Sequence, residues 1–407
     1  MKRRAALFLH TAAMARRPGI SCGEEEGGGG WKKPNSTPPR SSPRLLALAL
    51  AAFVSACATP PETALPQLTP EAERIFHADP RWLGGDAAIS IDLGHDRILW
   101  LFGDSFVDPA PPYARREAAI PRNTIAVQQG RDGGTARMTF VWRSEGGAPS
   151  AFFPGTKSEW HWPGSGTVLP DGTLAVFLHR LRATDAAPPL GFESAGYALA
   201  LIANPDDPPA AWHGRIVPGP DLPFDAVPGA ALVRDGDAVT VLATRTGGTP
   251  AGMLVRYAAA DLAAGNLGKA TWWSGTAFVA ASALPKGGPA VVIADAGAES
   301  SLQATPCGYL HVASLGFGAS VIAARTAPSI AGPWSEPATL LTPPESAAAR
   351  PFVYAGRAHP ALPAPEGVLT VSWVANSFAP EALLTPEGAR DLYWPRLAVV
   401  AAPACPR

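Results

Sequence analysis

Two aspartates raise the question of chemistry. Asp86 follows a glycine pair in "WLGGDAAISIDL", and Asp104 follows Gly103 in "RILWLFGDSFVD", eighteen residues later. That interval fits two short strands and a turn ("AAISIDL", "GHD", "RILWLFG"), and an antiparallel hairpin returns the chain to the end it left. Both carboxylates are therefore expected at one end of one hairpin. Two carboxylates beside low-dielectric walls have their pKa values pushed apart, so that one stays protonated while the other ionises. Such a pair is the minimal equipment for hydrolysing a glycosidic bond. The plain alternative is that both are turn-forming residues accepting backbone N–H groups.

The same segment resembles the GDS block of the GDSL (SGNH) esterases, in which the serine is the nucleophile; here that would be Ser105. This chemistry needs a histidine base held by an aspartate, in that family an Asp-x-x-His near the C-terminus. Asp92 and His95 have that spacing but lie upstream of Ser105, and His311 and His359 lack the aspartate. The family's glycine and asparagine blocks for the oxyanion hole are also missing. Its α/β/α fold does not suit a chain read as strands throughout. The esterase reading is the second alternative.

The chain has 407 residues, 47% of them hydrophobic, with a formal net charge of −1. It is long enough for a substantial core, and its charge gives no reason to expect nucleic acid as a partner. Cys22, Cys57, Cys307 and Cys405 form no Cys-x-x-Cys pair, so neither a metal site nor a cofactor is expected. Near the N-terminus, Arg44 precedes an apolar core, Leu45 to Val54, which ends in Val54-Ser55-Ala56-Cys57. The core is too short to span a bilayer and reads as a signal-peptide h-region. Its end resembles a bacterial lipobox, which makes Cys57 the expected lipidation site and the protein an exported, membrane-anchored lipoprotein. Residues 1–57 are read as a disordered extension plus signal peptide, 58–80 as a tether and 81–407 as one domain. Export permits disulfides, and Cys307 with Cys405 is then the one pair left in the mature chain.

From about residue 84, short apolar or β-branched runs alternate with turn signals such as "HD", "PDG" and "RDGD". Helical periodicity is confined to 69–76 and 257–265. About twenty strands would crowd one sandwich, whereas a β-propeller accommodates them in four-stranded blades. The expected fold is all-β, a five-bladed β-propeller, with inner strands lining a channel whose mouth holds the site.

Several segments together, "GGDAAISIDLGHDRILWLFGDSF", "WPGSGTVLPDGTLAVFLHRLR", "RTAPSIAGPWSEP", "YAGRAHPAL", "GVLTVSWVANS" and "YWPRLAVV", resemble a family of exported bacterial five-bladed propellers. That family was long a domain of unknown function, includes endo-D-arabinanases, and is related in fold to arabinanase and xylosidase propellers. The resemblance covers about residues 82–402 and implies Asp86 and Asp104 as the catalytic carboxylates, with retention of configuration. It also implies Glu299, before "CGYLHVAS", as a third carboxylate that supplies the general acid in related propellers. Residues of about 185–290 do not align well, so the resemblance leaves the substrate unspecified.

Around these, Trp160-His161-Trp162 offer ring faces for stacking on sugars and a hydroxyl partner. Arg122 and Asn123 open the strand "TIAVQQ" and are expected in the mouth. His359 is expected at the start of a late inner strand, where it could tune a carboxylate. Asn376, Tyr393 and Arg396 end or begin strands and are further binding candidates. Trp334 is expected to pack between blades, and Asp171 to form a turn. The expected function is glycoside hydrolysis of a furanosidic, arabinan-like glycan by a monomer. The main alternative is a non-catalytic propeller lipoprotein that binds a glycan or an envelope partner.

Overall fold

Strand signals dominate the sequence because apolar and β-branched runs recur between glycine, proline and aspartate turns. The computed structural model describes residues 65–132, 134–185, 191–316, 319–347 and 351–404. The signal segment, Cys57 and Cys405 lie outside these residues. Five antiparallel sheets follow one another along the chain. Blade one contains Ile89–Gly94, Arg97–Phe102, Thr124–Gln129 and Arg137–Val141. Blade two contains Glu159–Val168, Leu174–Ala183, Phe192–Ile202 and Gly214–Pro218. Blade three is built on Val227–Asp235, Ala238–Thr244 and Gly252–Ala258, and shorter strands extend it. Blade four contains Ser300–Thr305, Gly308–Leu315, Val321–Ala327 and Ala338–Leu341. Blade five contains Pro351–Ala358, Val368–Ser377 and Pro395–Ala401, and its fourth strand is the N-terminal Gln67–Leu68.

The first strands of successive blades pack side by side. Between each neighbouring pair of blades lies an apolar cluster, which is how a twisted sheet buries both faces. Phe177, Tyr197, Val241 and Trp272 join blades two and three, and Ile91, Leu101, Val176 and Leu178 join one and two. Blades three and four meet through Leu242, Leu254, Ile293 and Leu302, and four and five through Val312, Ile322, Trp373 and Val400. The last cluster joins blade five back to blade one through Trp100, Phe102, Trp394 and Leu397. The protein is a β-propeller. Trp334 packs at the three–four interface, as expected. Asp171 accepts a bond from the Thr173 N–H, also as expected for a turn.

Ring closure corrects one expectation. The stretch 58–80, read as a tether, is part of the fold from Gln67 onward. Gln67 and Leu68 pair with Val399 and Ala398, and the buried Glu73 carboxylate accepts the Leu397 N–H at 2.9 Å. Phe76, fully buried, meets Trp100 and Phe102 edge-on. Two helical segments match expectation, one turn at Pro70–Glu73 and a short helix at Ala259–Ala264 capped by left-handed Gly265, whereas a third, Pro386–Asp391 before the last strand, is unexpected.

A recurrent irregularity shapes the channel. The inner strands of blades two, three and five each shift register, after Pro163, Pro228 and Tyr354 respectively. In blade one, Ala87 and Ala88 adopt positive φ just before the strand begins. Such bulges bend a strand and re-aim its side chains. A Cβ on Gly164 would come within 2.6 Å of the Gly229 carbonyl oxygen, and Gly229 itself has φ +126°. Side chains are therefore excluded where blades two and three converge.

Replacing Phe76 with alanine should cost about 3–5 kcal/mol, typical of a buried aromatic. Denaturant unfolding would read this as a loss of stability. An effect within the range of a surface substitution would contradict the closure role given to this segment.

Candidate active site

The hairpin places the two aspartates together. Gly85 pairs with Ser105, and the Gly103 N–H donates to the Asp86 carbonyl at 3.1 Å. Both side chains are buried, with 1% exposure each. Glu299, at the start of the blade-four inner strand, is 5% exposed and lies close enough to Asp86 to disfavour its ionisation. The structure thus brings three carboxylates into one buried cluster.

Their surroundings differ. Asp104 accepts from the Arg122 guanidinium at 3.0 Å and from the Trp162 indole N–H at 2.8 Å. Burial pushes its pKa up, and Arg122 and Trp162 oppose that rise. Asp86 has no cation partner. Burial, then the charges of Glu299 and Asp104, hold it well above the ordinary carboxylate range. The Tyr354 hydroxyl donates to Asp86 Oδ2 at 2.8 Å, and Asn376 Nδ2 donates to that hydroxyl at 3.2 Å. The Tyr393 hydroxyl also favours the charged form of Asp86, but it falls outside hydrogen-bond geometry, and Asp86 Oδ1 has no hydrogen-bond partner. Glu299 is raised to about 7 by burial, against the opposing charge of Arg357 3.9 Å away. A carboxyl with that pKa can hold a proton at neutral pH, as a general acid must.

Other expectations are redrawn. Trp162 points its N–H at Asp104, so it positions a carboxylate and is not a sugar platform. Trp160 is half-buried, and the Arg122 guanidinium stacks on its ring 4.4 Å from the centroid, so that face is occupied. His161 is tied through Nδ1 to the Pro154 carbonyl. Arg122 and Asn123 precede the third strand of blade one, not an inner strand. Arg122 still reaches the site. Asn123 does not, because its carboxamide is engaged by the backbone of Phe153 and His161.

His359 follows the end of its inner strand instead of starting it, and its Nδ1 meets Ser90 Oγ at 2.8 Å. Burial and then Arg357 lower its pKa to about 3, so it faces a cation and not the carboxylate pair. Arg396 lies 3.5 Å from Glu73 and 3.7 Å from Glu345, at the closure seam and outside the site. Ser105 donates to the Gly103 carbonyl and shares a hydrogen bond with Thr124. No histidine is among its partners, and His95 lies in the turn at the far end of the hairpin. The esterase reading is overturned. Cys307 is disulfide-bonded.

Residues 72–402 match the family described as a domain of unknown function, DUF5005. The chain belongs to the DUF5005 family. No curated protein matches it. Among solved structures, a Bacteroides ovatus protein described provisionally as a hydrolase is similar to this DUF5005 chain at 18% identity and a TM-score of 0.66. That match covers 82% of this chain and 89% of the other. The α-L-arabinanase of Cellvibrio cellulosa matches at 13% identity and a TM-score of 0.43, covering 78% and 91% respectively. At these identities the first likeness concerns the fold alone, and the second is too remote to weigh.

Within this DUF5005 propeller, sequence reasoning missed Tyr354 and Arg357. A signal for them existed. The bulge tetrads Pro163-Gly164-Ser165-Gly166, Pro228-Gly229-Ala230-Ala231 and Tyr354-Ala355-Gly356-Arg357 recur at equivalent places, and Asp86-Ala87-Ala88 is the blade-one version. Aligning them sets Tyr354 level with Asp86.

Glu299 should make stability fall as pH rises. Its folded pKa of about 7 exceeds the ordinary 4.5, so the folded state binds the extra proton between those values and loses relative stability across them. Glu299→Gln should stabilise the protein by up to about 3 kcal/mol at neutral pH and by little near pH 4. Melting temperatures of both proteins across pH 4–8 would check this, and parallel curves would refute it.

Proposed function

We propose that this protein is a glycoside hydrolase acting on a furanosidic, arabinan-like glycan, as the resemblance to endo-D-arabinanase propellers implies. The observation that carries the reading is the cluster of Asp86, Asp104 and Glu299, in which the carboxylate with the direct cation contact differs from the one without. In this reading Asp104 is the ionised member, held by Arg122 and Trp162, and attacks the anomeric carbon as nucleophile, the role that retention requires. Asp86 keeps its proton and delivers it to the leaving oxygen. Glu299 helps keep Asp86 protonated, because two neighbouring carboxylates resist ionising together. Tyr354 and Asn376 orient Asp86. Retention of configuration belongs to the same proposal, as do export and lipidation at Cys57.

One observation favours a second reading. All three carboxyl groups are nearly inaccessible, at 1%, 1% and 5% exposure, which also suits a non-catalytic propeller that binds a glycan through its rim. Catalysis requires the mouth to open around the substrate.

Asp86→Asn and Asp104→Asn, assayed on a panel of arabinofuranosides and arabinans, should each lower kcat by roughly a hundredfold or more while keeping the native melting transition. A wild-type protein inactive on every substrate, yet retaining glycan affinity, would decide for the binding reading. Variants as active as the wild type would remove the assigned roles.

A further inference from the structure

The channel beneath the carboxylates carries a second chemistry. A cavity of about 340 Å³ is lined by Ser90, Ser165, Ser300, Ser301 and Arg357, with Asp92 and Pro360 toward its far end. Because the blade-one inner strand runs from Ile89 beside the carboxylates to Gly94 at the hairpin turn, that end lies away from Asp86.

The cavity wall is short of partners for positive and donor groups. Arg357 is 3% exposed, and its Nε has no hydrogen-bond partner. Its ion pair with Glu299 is long, at 3.9 Å. Ser300 Oγ is fully buried and has no partner either. His359, close enough to feel the charge of Arg357, has an Nε2 in the same condition. These three atoms come from adjacent blades that are stitched together at this level by the Ala358 N–H bond to Ser301 Oγ. A buried guanidinium without full compensation is costly, and a buried donor without a partner adds to that cost. One negative charge at this place would meet the guanidinium and the hydroxyl together. The unpartnered groups of the wall, the guanidinium Nε of Arg357 and the hydroxyl of Ser300, are donors and so select an anion.

We propose that the channel contains a binding site for a small monovalent inorganic anion of halide size, held by Arg357 and Ser300 with His359 alongside and entered from the face opposite the carboxylates. The ligand is a free ion, since the groups that would hold it are buried inside the channel and not on an exposed surface. The proposal does not depend on hydrolase activity, and its test reads binding alone.

The test uses the full chain with bromide as the probe. Sodium bromide is titrated at constant ionic strength against sodium gluconate, whose anion is a bulky polyhydroxy carboxylate and not a halide. The melting temperature should rise saturably with bromide. Crystals soaked in bromide should show an anomalous peak beside Arg357 and Ser300. Ser300→Ala should shift the saturation midpoint upward by about two- to tenfold, the equivalent of one hydrogen bond. Arg357→Met should abolish the saturable response. If Arg357→Met does not fold, Ser300→Ala and the anomalous map still decide the matter. A channel filled by water alone, or a melting temperature indifferent to bromide, would overturn the proposal.

Discussion

Ring closure is the constraint on which this molecule depends. A blade buries one face of its sheet only against the next blade, so an open ring would leave one apolar face in water. The N-terminal segment prevents this by pairing with the last strand and driving Phe76 between blades five and one. The candidate site straddles that seam. Asp86 belongs to blade one and its hydroxyl partner Tyr354 to blade five. The ionisation of Asp86 is therefore tied to whether the ring is shut, and a local loosening of the N-terminal strand would reach the site without altering any residue in it.

The second organising force is desolvation. Burial raises all three carboxyl groups, and what distinguishes them is how far each is compensated. Asp104 has a guanidinium at hydrogen-bond distance. Glu299 has one at a distance. Asp86 has hydroxyl groups. This graded compensation separates protonation states within one small volume, and its charged and hydroxyl groups come from blades one and five.

The fold was legible because strand runs and turn pairs are local properties. His95 and Asp96 adopt the positive φ of a tight hairpin turn, and their dipeptide already announces it. The Asp86–Asp104 pairing was legible for the same reason, since both lie on one hairpin. What the sequence concealed depends on contacts across blades. Nothing in "EWHW" says that Trp162 turns inward to an aspartate or that Arg122 covers Trp160. Arg396 begins a strand like its neighbours, and only the closed ring shows that it faces Glu73. Exposure is decided by the neighbouring blade, so stacking platforms could not be distinguished from packed rings.

The glycine contact between blades two and three has a further meaning. Five strands converging on one axis share a fixed cross-section, and a side chain admitted on one of them must be withheld from another. Where Gly164 meets the Gly229 backbone there is no room even for a methyl group. Blades one and five carry Ala87 and Ala355 at the matching position, each with positive φ. The hub thus asks for a small residue in all four of these blades. The aspartate and the tyrosine stand one residue earlier, where blades two and three have Pro163 and Pro228 and so bring no polar group to the axis.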